Sequence, residues 1–399
     1  MNRIAFFFLT CLLFFSACKL RVSTAPADKI IETLQKEYAP DKRVAVWNIS
    51  TSPRGQTIVL RGETNLPETR NLLLEKLREA QIQYDDQIHI LPDTELGDST
   101  FGIVRLSVCN IRSRAKHSAE LATQALLGTP LRLLKKTENG DWFYVQTPDN
   151  YLGWLDKDAF HRTDQKGLDQ WLGAEKIIIQ SPWAAITAAP DAQSPGVSDA
   201  VFGGILRKTG ATKGFVEVAF PDGRTGFVAQ KDQRPYRDWL AQPPATPEAI
   251  LATAKMFVGY PYLWGGTSSK AFDCSGFTKT VFYRNGIQLS RDASQQVNLG
   301  EDIPTDSTWQ NLQPADLLFF GTKTEEREKI THVAIYMGGG KIIHAAGLVK
   351  IESLIPGQPD FAEDRYKSFI RAKRILGADA ETSGIIRLQN HPLYAPPAQ

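Results

Sequence analysis

Three side chains in the C-terminal half of the sequence could act together on a carbonyl: Cys274, His332 and His344. Cys274 lies in AFDCSGFTKT, residues 271–280, between an acid and a hydroxyl. Asp273 is placed to cap a helix from Ser275 to about Arg284, with Cys274 in its first turn. Orphan amide N–H groups and the helix dipole favour a thiolate there, so the pKa is expected below the ordinary ~8.5. A thiolate nucleophile needs a base. Two of the six histidines sit in THVAIYMGGGKIIHAA, residues 331–346. THVAIYM and KIIHA read as strands joined at GGG, a hairpin. Pairing Met337 with Lys341 puts Ala334 opposite His344, and His332 becomes its same-face diagonal neighbour. One imidazole can then take the thiol proton while the other orients its ring. Two histidines on one face can also hold a metal, but zinc needs further ligands at fitting spacing, and Cys274 would have to join. The expectation is no metal and no cofactor.

Whether Cys274 is free depends on the other cysteines, at 11, 18 and 109. The sequence opens MNRIAFFFLTCLLFFSACKL, with one Arg, an apolar run from Ile4 to Phe15 and then small residues. That is the pattern of a secretory signal, and the run is shorter than the ~20 residues a spanning helix needs. Ser16-Ala17-Cys18 resembles a bacterial lipobox, with Phe15 where Leu is commonest. The resemblance implies removal of residues 1–17 and a lipid on Cys18. A plain signal with an incidental cysteine is the alternative. The expected location is the cell envelope, membrane-anchored and facing the periplasm. Cys109 lies in LSVCNIR, an alternating strand where a small buried thiol is ordinary. A Cys109–Cys274 disulfide is disfavoured, which leaves Cys274 an unpaired thiol in an exported chain.

Several modules must precede and position these groups. With 399 residues, 42% of them hydrophobic, the chain has length for two to four domains. A net charge of +2 makes no case for a nucleic-acid partner. Residues 18–28 read as a tether. Residues 29–97 carry a helix at Ile30–Tyr38, strands in RVAVWNI and TIVLRGE, a helix from Pro67 to Ala80, and a strand in IHILPD. This small α+β unit has only a weak similarity to a periplasmic BON-type module. An internal repeat follows. Pro148-Asp149, Gly153-Trp154 and Trp142 recur as Pro221-Asp222, Gly226-Phe227 and Phe215 at an offset of 73 residues. Both copies read as small β-barrels, over 100–162 and 177–236. They resemble bacterial SH3 (SH3b) domains. Residues 237–247 are a Pro-rich connector, and Thr246 with Pro247 can start a helix from Glu248 to Phe257. Residues 248–376 hold the chemistry, and 377–399 form a tail laid on another domain.

Residues 248–376 resemble an NlpC/P60 cysteine peptidase, of the papain-like superfamily. The matching pieces are GYPYLWGG (259–266), FDCSGF (272–277), LSRDASQQ (289–296), PADLLFF (314–320) and the histidine hairpin, in family order. Ala315 stands where the family usually has Gly, a change expected to affect a turn. The fold class is therefore α+β: a papain-like domain after two SH3b barrels and a small N-terminal unit. The resemblance implies that Cys274 attacks a peptide carbonyl, His332 is base and then acid, and His344 is the third polar residue. It implies a Cys274 backbone amide in the oxyanion hole and a Tyr262 hydroxyl nearby.

The resemblance also implies the substrate, a cell-wall stem peptide cut between γ-D-Glu and a diamino acid. A free N-terminal L-Ala amine needs acids, and Asp273, Asp292, Ser275 and Trp264 flank the motifs. In the two-SH3b branch the first barrel closes that end with an acid and a Tyr, which points to Glu120 in SAELATQALLGTP and Tyr151 in DNYLGW. The second copy has Arg224 at the position of Tyr151, so only the first barrel would serve the site. Asp292 could instead cap a helix through DASQQ. The expected partners are free stem peptides and a membrane, with the chain a monomer. A muramoyl–L-alanine amidase or an acyltransferase with the same triad is the alternative, for which Glu120 and Tyr151 would have to leave an open groove. A wall-binding scaffold with an inert peptidase fold is a further alternative.

Overall fold

The computed structural model describes residues 22–306, 308–379 and 383–396. Cys18 and the signal segment lie outside these. The chain divides into two compact units, one ending at Leu91 and the other starting at Pro92.

The first unit is a helix, two strands, a helix and a strand: Ala25–Tyr38, Trp47–Arg54, Thr57–Thr64, Pro67–Glu79 and Tyr84–Ile90. The first two strands pair antiparallel and the second and third parallel. Ile31 and Leu34 of the first helix and Leu73 and Leu77 of the second are buried with Ile58 and Leu60 of the sheet. The first strand starts at Trp47, later than RVAVWNI suggested, because Val44 and Ala45 turn back through N–H bonds to the Asp41 carbonyl.

The second unit begins with two seven-stranded sheets, running from Phe101 to Thr163 and from Lys176 to Pro235. Their strand orders are the same once the sequence offset is applied. The shared Pro-Asp turn explains part of the repeat. Asn150 and Gly223, 73 residues apart, both adopt the left-handed backbone (φ 63° and 90°) that Asn and Gly tolerate best. Each sheet encloses its own apolar core, one around Leu131, Leu133 and Val145, the other around Ile186, Leu206 and Val218.

Past the connector, a helix Pro247–Lys255 starts with Thr246 Oγ1 accepting from the Ala249 N–H at 3.3 Å. The helix Cys274–Arg284 packs on a six-stranded antiparallel sheet. The order of that sheet is Glu301–Ile303, Phe369–Arg374, Leu317–Lys323, Glu328–Gly338, Lys341–Ala346, Leu348–Ser353. Ala315 takes φ 76° in a turn where glycine would sit without strain. The tail braces three elements. Ile386–Arg387 pairs with Ile287–Gln288, His391 Nε2 meets the Pro148 carbonyl at 2.9 Å, and the Tyr236 hydroxyl donates to the Tyr394 carbonyl.

Candidate active site

Asp273 sets the helix that carries the thiol. Its Oδ1 accepts from the Gly276 N–H at 2.7 Å, and the helix starts at Cys274 itself. Gly276 lets this turn approach closely, since a Cβ there would sit 2.0 Å from the Gly266 carbonyl oxygen. Cys274 is 8% exposed and unpaired, as is Cys109. Burial pushes the Cys274 thiol up to about 11, and the Asp273 charge adds to the rise. The N–H groups of Val333 and Ser275 and the Arg291 cation oppose this without reversing it. The expectation of a depressed thiol pKa is therefore corrected: desolvation outweighs the helix terminus.

The hairpin brings the two histidines together. Tyr336 pairs with Ile342 and Ile335 with Ile343, and a bulge leaves Lys341 opposite Gly338 rather than Met337. The register at the histidines is unaffected, and His332 Nε2 lies 2.8 Å from His344 Nδ1. Val333, next to His332, presents its N–H to the thiol. Burial, then the neighbouring His344, hold His332 well below the ordinary imidazole value, and the Arg365 and Lys350 cations add to this. His344, fully buried, is also lowered, with Glu352 working against the effect of burial. Both rings are thus neutral at neutral pH. Among the described residues no cluster of His, Cys, Asp and Glu could hold a metal.

Two residues around this core were not among the sequence candidates, although Arg291 lies within LSRDASQQ. Glu352 Oε2 lies 2.7 Å from His344 Nε2. Lys350 pairs opposite His344 across the hairpin at Gly347, so Glu352, two residues on, shares its face; that alternation was the available signal. Arg291 is 1% exposed and forks onto Asp273, with Nη2 2.5 Å from Oδ2 and Nη1 3.2 Å from Oδ1. It also donates to the Ser275 hydroxyl and, through Nε, to Thr123 Oγ1 of the first barrel. Asp273 further accepts from the Gly265 N–H, so its carboxylate is engaged on all sides.

The first barrel meets the cleft directly. Trp264 Nε1 donates to Glu120 Oε1 at 2.8 Å, and the Tyr151 hydroxyl donates to Asp292 Oδ2 at 3.0 Å. Trp264 is 64% exposed, whereas Tyr151 is buried. Asp292 also caps the short helix Ala293–Gln296 in a capping box, so the cap and the Tyr151 contact coexist. Deeper in the interface, Lys279 pairs with Asp149 at 2.5 Å, beside the turn that carries Tyr151. Tyr262 is half-buried, its phenol raised to about 12 by burial and then by Cys274 and Asp273. Arg224 of the second barrel turns away, bonding Asp222 and the Arg105 carbonyl.

The arrangement joins a buried thiol, two neutral imidazoles and an acid-bearing rim contributed by a barrel. Residues 259–366 match the NlpC/P60 family, and residues 111–160 match the bacterial dipeptidyl-peptidase Sh3 domain. The chain is 32% identical over 233 residues to the gamma-D-glutamyl-L-lysine dipeptidyl-peptidase of Bacillus subtilis (strain 168), covering 56% of this chain and 72% of that one. It is 27% identical to dipeptidyl-peptidase 6 of Lysinibacillus sphaericus, covering 66% and 94%. An NlpC/P60 family protein of Bacillus cereus ATCC 10987 has a similar solved structure, with TM-score 0.58 at 24% identity over 69% of this chain and 99% of that one. With barrel, thiol and histidine hairpin following one another along the sequence, the chain belongs to the NlpC/P60 family and is a cysteine peptidase.

Proposed function

We propose that the chain hydrolyses the bond between γ-D-Glu and the diamino acid in peptidoglycan stem peptides whose N-terminal L-Ala is free. The supporting observation is the approach of Glu120 and Tyr151 to the cleft at Trp264 and Asp292. The Glu120 and Asp292 carboxylates, each bonded across the barrel–cleft boundary, are of the charge an ammonium needs. The Bacillus subtilis relative, named for a γ-D-glutamyl-L-lysine bond, supports the same reading.

In the proposed reaction the Cys274 sulfur attacks the γ-carbonyl of D-Glu as His332 takes the thiol proton. The Cys274 N–H, one of the orphan donors of the helix N-terminus, and the Tyr262 hydroxyl face the oxyanion. His332 then gives its proton to the departing amine, and the diamino acid leaves. Water, deprotonated by His332, attacks the thioester; L-Ala-γ-D-Glu is released and the thiol regains its proton. Trp264 stands exposed at the rim beside Glu120, and Asp273 holds the Cys274 helix in place.

The test compares L-Ala-γ-D-Glu-diamino acid tripeptide with its N-acetylated form. Acetylation removes the ammonium and leaves Glu120 and Asp292 facing an uncharged amide. A fall in kcat/KM of about 10⁴-fold is expected, as for other sites built to bind one polar group of the substrate. Equal cleavage of both peptides would overturn amine recognition, and cleavage of intact glycan-linked stems at the muramoyl bond would favour the amidase alternative. The same reading has the chain exported and anchored through Cys18. Labelled fatty acid should enter the wild-type chain in a bacterial host and be lost in Cys18→Ala.

A further inference from the structure

The polar chain behind His332 does not end at His344. His332 Nε2 meets His344 Nδ1 at 2.8 Å, and His344 Nε2 meets Glu352 Oε2 at 2.7 Å. The other oxygen, Oε1, accepts from Lys350 Nζ at 2.7 Å. Both Lys350 and Glu352 lie on the strand Leu348–Ser353, whose pairing with Lys341–Ala346 sets Lys350 opposite His344. The His344 ring is fully buried, and the Glu352 side chain is 23% exposed.

These contacts allow one proton arrangement. A carboxylate is acceptor-only. His344 Nε2 must therefore carry hydrogen toward Glu352. In the neutral ring Nδ1 is then the acceptor, so His332 Nε2 must donate to it. The lone pair of His332 is left on Nδ1, the nitrogen that would serve as the base in the reaction proposed above. We propose that Glu352 is a positioning residue that fixes the tautomers of both histidines and balances the charge that arrives when His332 is protonated. Without it, a neutral His344 has no reason to keep its proton on Nε2, and half of the resulting arrangements turn an N–H of His332 toward sulfur. The inference rests on the Cys274–His332–His344 reading above.

The charged and titratable groups around the histidine pair are Glu352 and Lys350 on that strand, Arg365 on the helix Glu363–Ser368, and Cys274 beside Val333. Lys350 and Arg365 disfavour the imidazolium, whereas Glu352 favours it. Substitutions on the two sides should therefore move the acid limb of the pH profile in opposite directions.

The experiment measures kcat, KM and the pH dependence of kcat/KM on the free tripeptide for the full chain. Glu352→Gln is expected to lower kcat on the order of 10–100-fold, the loss seen when the outer carboxylate partner of a metal-bound histidine is removed. KM should stay within about threefold, and the acid limb should move down by about one pH unit because an anion beside the imidazoles is gone. Lys350→Met, which removes a cation, should move the limb up. Glu352→Asp, which keeps the charge, should recover most of kcat. An unshifted limb in Glu352→Gln with kcat within twofold of wild type overturns the proposal, as do limbs that shift the same way in Glu352→Gln and Lys350→Met. Cys274→Ala and His332→Ala serve as separate controls. If either retains wild-type turnover, the underlying mechanism fails. If both are inactive while Glu352→Gln is unaffected, only the role of Glu352 fails.

Discussion

Arg291→Met is expected to destabilise the second unit by about 3–5 kcal/mol, the range for removing one partner of a buried ion pair. Arg291 is 1% exposed and holds both oxygens of Asp273, itself buried. Met fills similar volume but strands the carboxylate against the helix that carries Cys274. The Gly265 and Gly276 N–H groups would still reach it, so the helix cap should survive in weakened form. The Thr123 contact is lost as well, and with it one tie between the first barrel and the cleft. Urea unfolding of the full chain measures the loss. Arg291→Lys should recover little of it, because an ammonium cannot reproduce the fork onto two carboxylate oxygens. A change within about 1 kcal/mol for Arg291→Met would mean that the ion pair with Asp273 adds little to the fold. Activity should fall along with stability, since the same cation helps to lower the Cys274 pKa.

Arg291 also marks where sequence reasoning stops. The positions of Cys274, His332 and His344 were legible because residue type, the helix start and strand parity each constrain them locally. The hairpin register survived a misplaced turn: the bulge at Met337 sits beyond Tyr336, so the pairing nearer the histidines kept its phase. The repeat was legible because its turn residues recur, and the two seven-stranded sheets share one strand order. A lone Arg in LSRDASQQ shows no periodicity, and only packing against Asp273 and Thr123 makes it buried. Thiol acidity failed for a related reason. A helix start is a local feature, but the depth at which Val333 and the sheet cover Cys274 is a tertiary one. Glu352 lay between these cases. Its face follows from the Gly347 hairpin, yet nothing local says that an acid there meets a histidine rather than water.

That depth determines what His332 must do. A thiol near pKa 11 is ionised in roughly one molecule in 10⁴ at pH 7. A resting thiolate therefore contributes little, and the base must remove the proton during attack. His332→Ala is accordingly expected to lower kcat/KM by about 10²–10⁴-fold at pH 7, the range for removing a positioned general base. The residual activity should climb about tenfold per pH unit until the thiol itself titrates. Cys274→Ala should lose all turnover, and the double variant should be no worse, since the two groups act as one unit. Alkylation of Cys274 by iodoacetamide gives an independent reading. In the wild type its rate should keep rising from pH 6 to pH 9. A plateau across that range would instead indicate a resting thiolate–imidazolium pair, in which His332 holds the proton before substrate arrives. In that case His332→Ala would act by raising the thiol pKa, and alkylation at pH 7 would fall in parallel with kcat/KM. With a neutral resting pair, small alkylating agents should lose much less than the peptide does. The ratio of the two losses separates a base that works during attack from one that has already worked.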